Sequence, residues 1–142
     1  MENAINLSIL IPLIPFGGAI LIFTLLVSFT RTINRLTKPI SYISIFSVLL
    51  SAILTSFFLF NHFEETISIA NYFNSFKDNN LAIHLNEFTE KIILIADLIT
   101  IFVITISLLK LPRREGYVLY IGNLSLVTSI IIFSILLVDF KI

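Results

Sequence analysis

Cysteine is missing from the chain altogether. That absence excludes disulfides, thiolate metal sites, iron–sulfur ligation and thiol nucleophiles. Charge is the next scarcity. Nine basic and nine acidic residues make up 13% of 142 positions, where a soluble domain carries about 25%. The basic residues are scattered and formal net charge is zero, so no clustered phosphate-binding surface exists and nucleic acid drops out as a partner. A glycine-rich phosphate loop, paired carboxylates at a defined helical spacing and a nucleophile beside a base are all lacking. Catalysis by this chain alone is therefore not expected. No basic residue precedes the first apolar run, because the first Lys or Arg is Arg31. A cleaved secretory leader would carry its basic region in front, so the first segment is expected to remain as a spanning helix.

What fills the chain is apolar. Hydrophobic residues make up 57% of it, and mean hydropathy is +1.02. Four runs reach the length of about 20 residues that crosses a bilayer core, at 7–29, 40–60, 92–109 and 118–138. In lipid only helices or closed barrels satisfy the backbone. Runs this continuous, without alternating polar positions, predict helices. The expected fold is an all-α integral membrane protein of four transmembrane helices, in one membrane domain over 1–142.

The connections divide by charge. The first holds Arg31, Arg35 and Lys38 with no acid, and the third holds Lys110, Arg113 and Arg114 against Glu115. The middle loop, 61–91, holds Glu64, Glu65, Asp78, Glu87 and Glu90 against Lys77 and Lys91. Lys and Arg in short loops stay on the cytoplasmic or stromal side. Both termini and the middle loop are then expected outside. Within that loop Ile67 and Ile69 are spaced by two, and Leu81, Ile83 and Leu85 alternate with Ala82, His84 and Asn86, around a polar Lys77-Asp78-Asn79-Asn80 stretch suited to a turn. This pattern predicts a small β-hairpin on the membrane surface, a disordered linker being the plainer alternative.

Asp97 is the one charged residue inside a span, and an intramembrane acid is costly and commonly functional. Thr100 and Ser107 lie within about 80° of it on a helical wheel, giving a polar stripe for a proton relay or for helix pairing. The competing account lets Asp97, near the outer end of its helix, snorkel to water. Ser44, Ser47, Ser51 and Thr55, spaced by three, four and four, form a narrow hydroxyl face suited to close helix packing, an assembly feature rather than a reactive one. Pro12 and Pro15 sit in the first helix beside Gly17 and Gly18, where a kink or a helix start at Pro12 is expected. His62 and His84 lack a fixed ligand spacing, so no metal is expected.

Several stretches together resemble the subunit 5 (F, or L) family of complex I, the NAD(P)H–quinone oxidoreductases, especially its cyanobacterial and plastid members. Leu10-Ile11-Pro12-Leu13-Ile14-Pro15-Phe16-Gly17-Gly18-Ala19 resembles the family's first helix, and Thr32-Ile33-Asn34-Arg35-Leu36-Thr37-Lys38-Pro39 the basic loop after it. Asn80-Leu81-Ala82-Ile83 resembles the second hairpin strand. Glu115-Gly116-Tyr117 with Leu124-Ser125-Leu126 is similar to the Pro-Gly-Tyr loop and the start of the fourth helix. The chain departs from the pattern at Glu90-Lys91, where the family has an acid followed by proline, and at Asn86, where it has glycine. The family's proton-translocating glutamate and lysine lie on later helices. The resemblance implies an N-terminal antiporter-like module, or small membrane-arm subunit, without the pump machinery. It would hold no flavin, iron–sulfur cluster or nicotinamide. Its expected partners are the bilayer and other membrane subunits, in a bacterial plasma membrane or a cyanobacterial thylakoid. An independent four-helix assembly factor or small transporter component is the alternative.

Overall fold

The computed structural model describes residues 2–29, 37–61, 65–68, 82–110 and 116–137. Helix α1 spans Glu2–Ser28, α2 Thr37–Asn61, α3 Glu87–Lys110 and α4 Tyr117–Leu137; strands β1 (Glu65–Ser68) and β2 (Ala82–Leu85) lie between α2 and α3. At 1.5 Å per residue the helices are about 30–40 Å long, and each is long and apolar enough to cross a membrane. The chain is an integral membrane protein.

The helices begin earlier than the apolar runs. α3 starts at Glu87 rather than near 92 because Asn86 and Thr89 cap it reciprocally. The Thr89 amide donates to Asn86 Oδ1 at 2.8 Å, and the Asn86 amide donates to Thr89 Oγ1 at 3.0 Å. These bonds satisfy two groups that a helix start otherwise leaves open. Asn86→Ala is expected to destabilise the first turn of α3 by about 1 kcal/mol, read as faster amide exchange over Glu87–Lys91 with the rest of α3 unchanged. At α4, Gly116 takes φ +99°, a left-handed conformation that strains other residues, and its carbonyl accepts from the Tyr120 amide at 2.9 Å. α1 does not start at Pro12. It runs through both prolines.

The strands pair antiparallel, Glu65 opposite Leu85 and Ser68 opposite Ala82. The expected turn at 77–80 lies outside the described residues, as does His62. Each helix packs on its neighbours, α1 most extensively on α4 and α2 on α3. Ile11, Phe58, Leu85, Ile93, Ile132 and Leu136 form one apolar cluster. It gathers the start of α1, the end of α4 and β2 at the same end of the bundle. Ile22, Ile40, Ile104, Tyr117, Val118 and Ile121 form a second cluster at the other end.

Candidate functional site

Within the bundle, alongside and between the two apolar clusters, runs a polar layer. Its residues come from one face of each helix: Ser44, Ser47, Ser51 and Thr55 on α2, Asp97, Thr100 and Ser107 on α3, Ser125, Thr128 and Ser129 on α4, all buried. The outside is the reverse. Val27, Phe46, Phe60, Phe102 and Leu109 are each more than three-fifths exposed. Apolar side chains gain nothing by leaving hydrocarbon for a protein interior, so helix association in lipid rests on close packing and interhelical hydrogen bonds. That is why the interior holds the hydroxyls.

The hydroxyls bond from helix to helix. Ser44 Oγ meets Ser125 Oγ, joining α2 to α4. Thr100 Oγ1 meets Thr128 Oγ1 at 3.1 Å and Ser107 Oγ meets Tyr120 Oη at 3.3 Å, joining α3 to α4. Ser41 Oγ meets Tyr117 Oη at 2.9 Å. Several of these hydroxyls also return a bond to their own helix. Ser47 donates to the Ser44 carbonyl at 2.8 Å, and Thr55 to that of Ser51 at 3.0 Å.

The centre of the layer is Ser51. Its Oγ lies 3.1 Å from Asp97 Oδ2 on α3 and 3.1 Å from the Ile11 carbonyl on α1. The Ile11 carbonyl is open because its helical donor would be the amide of residue 15, and Pro15 has none. One residue on, the Pro12 carbonyl accepts from Ser129 Oγ of α4 at 2.8 Å. Prolines in spanning helices are tolerated where neighbouring Ser and Thr side chains supply the missing partners. Here Ser51 of α2 does so for the Ile11 carbonyl, while Ser129 of α4 adds a second donor to a carbonyl whose helical donor, the Phe16 amide, is present.

Asp97 does not snorkel: its side chain is 0% exposed within the bundle. Its Oδ1 has no hydrogen-bond partner among the described residues. Glu90, expected in the loop, belongs instead to the first turns of α3. It is 1% exposed and lies two turns before Asp97 on the same face. Thr100 and Ser107 follow Asp97 along that face, but each bonds to α4 and not to the carboxylate. The hydroxyl face of α2 is turned inward, with Ser44 bonded to α4, Ser51 to α1 and α3, and Ser47 and Thr55 to α2 itself, so it is not the surface that a partner helix would meet. The α4 residues Ser125, Thr128 and Ser129 and the α1 carbonyls were not singled out by the sequence. The three-and-four spacing in α4 carried the signal for the first group.

No protein-family model matches the chain. It is similar to NAD(P)H-quinone oxidoreductase subunit 5, chloroplastic, of Mesostigma viride, with 29% identity over 120 residues, 84% of this chain and 18% of that protein. It is also similar to NAD(P)H-quinone oxidoreductase subunit 5, organellar chromatophore 1, of Paulinella chromatophora, with 42% identity over 55 residues, 39% of this chain and 8% of that protein. The chain spans less than one fifth of the length of these curated relatives.

Proposed function

We propose that this chain is a small membrane-arm subunit, or the N-terminal antiporter-like module, of a complex I-like NAD(P)H–quinone oxidoreductase, with a structural or accessory part in proton-coupled electron transport. The similarity to the Mesostigma viride subunit 5 over 84% of the chain carries this reading. Four helices fit to cross a membrane support it. Catalysis then belongs to the assembly and not to this chain. Loops one and three face the cytoplasm or stroma, in keeping with their Lys and Arg. The termini and the paired strands lie on the opposite side, with the strands as one hairpin against the membrane surface. The membrane is a bacterial plasma membrane or a thylakoid. Asp97, Thr100 and Ser107, with Ser44, Ser47, Ser51 and Thr55, hold the four helices in one arrangement. The apolar outer faces, among them Phe46, Phe57 and Phe102, remain for lipid and for neighbouring subunits.

A native gel of mildly solubilised membranes, probed for a tag on the chain, tests the proposal. Comigration with a large complex containing quinone-reductase subunits is the expected result. Migration as a small species, under conditions where that complex stays intact, would leave an independent four-helix membrane protein and remove the subunit reading.

A further inference from the structure

The polar layer is short of one hydrogen. Ser51 has a single hydroxyl hydrogen and two buried acceptors at the same distance, Asp97 Oδ2 and the Ile11 carbonyl, 3.1 Å each. Pro15 has already removed the helical donor to that carbonyl. Asp97 Oδ1 has no partner among the described residues. With Asp97 ionised, three acceptor oxygens would share one hydrogen inside a side-chain environment closed to solvent. Buried polar groups are normally paired, and an unpaired one is expensive.

Among the described residues no neighbouring charge makes up the deficit. α1 has no titratable residue between Ser8 and Ser28. On α2, Lys38 and Tyr42 are exposed, and on α4, Tyr117 and Tyr120 bond to Ser41 and Ser107 toward the other end of the bundle. On α3, Lys91 is exposed and pairs with Glu87 at 2.8 Å, and Lys110 is exposed at the far terminus. Glu90 shares the interior as a second acid, not a counterion. On β2, His84 stands opposite Thr66 in register. Hard divalent ions take six or more oxygens, and among the described residues no three His, Asp or Glu side chains converge. A proton needs only the two oxygens already in contact.

We propose that Asp97 is a proton-binding site whose acid form joins three helices. The bound hydrogen sits on Oδ2 and is donated to Ser51 Oγ. The Ser51 hydrogen is then free for the Ile11 carbonyl, so the bonds run in one direction from α3 through α2 to the broken turn of α1. Loss of the proton leaves the carboxylate and the α1 carbonyl competing for one donor, and one of the two interhelical links opens. This inference stands on the geometry alone and does not depend on the subunit reading.

Infrared spectroscopy tests it, on the full chain in lipid at neutral pH, in whatever assembly it purifies with. A protonated-carboxyl carbonyl band is expected in the native chain. It is lost in Asp97→Asn and kept in Glu90→Gln. In Ser51→Ala it moves to higher frequency, because the acid has lost its acceptor. Superimposable spectra of the native chain and Asp97→Asn would overturn the proposal, and so would a band that disappears with Glu90. If Asp97→Asn fails to insert, Ser51→Ala decides: a shifted band supports the site and an unmoved band overturns it. Exchanging choline for sodium at constant pH should change nothing. A sodium-dependent loss of the band would assign the oxygens to a metal cation and overturn the proton assignment.

Discussion

Gly18→Ala is expected to destabilise the bundle by about 1–3 kcal/mol, the usual cost of overpacking a tight contact. A methyl carbon on Gly18 would lie 2.5 Å from Ser47 Oγ and 2.8 Å from Ser47 Cβ. The Cβ atom is fixed to the α2 backbone and cannot swing aside, so α1 and α2 must separate. Separation is costly because helix contacts in lipid depend on close backbone approach rather than on expulsion of water. Gly17, one residue earlier, has nothing within 4 Å of the same hypothetical atom. Gly17→Ala should therefore change stability by less than about 0.5 kcal/mol. Ser47→Gly should restore much of the loss in the Gly18→Ala background. Thermal or denaturant unfolding of the four variants in one detergent decides the matter. Equal effects at Gly17 and Gly18 would show that the contact is not a tight one.

A second large effect is expected at Ser51. Ser51→Ala leaves the Ile11 carbonyl buried without its donor, a loss of about 1–3 kcal/mol. Pro15→Ala returns an amide hydrogen to residue 15, which can then close the ordinary helical bond to Ile11. In that background Ser51→Ala should cost less, with a coupling of about 1–2 kcal/mol between the two positions. Ser129→Ala serves as the control. Its acceptor is the Pro12 carbonyl, whose own helical donor is the amide of Phe16 and not of residue 15. It should therefore show little coupling to Pro15→Ala. Additivity of Ser51 and Pro15 within about 0.5 kcal/mol would mean that the carbonyl finds its partner elsewhere.

Hydropathy alone made the four helices legible, since each is an apolar run with no alternative in lipid. Their ends were less so. The α3 start rests on Asn86 and Thr89, polar residues that read as loop until the cap is seen. The stripes on α2 and α3 could be read from their helical spacing, three and four on α2 and three and seven on α3, which survives in any helix. Their direction could not. A helix apolar on every side has no amphipathic signal to say whether a serine stripe faces its own bundle or a foreign one, and here it faces its own. Pairings such as Thr100 with Thr128 or Ser107 with Tyr120 depend on the axial register between helices, which no single segment encodes. The open carbonyl of α1 was half visible. Two prolines in a span announce missing amides, but not which side chains answer them.

The order of synthesis gives those prolines a further consequence. The donor that completes the Ile11 carbonyl is made 40 residues after it. During translation α1 therefore enters the membrane with one backbone oxygen, that of Ile11, whose partner side chain is still to be made. The insertion machinery, or water held within it, has to shelter that turn until Ser51 of α2 emerges.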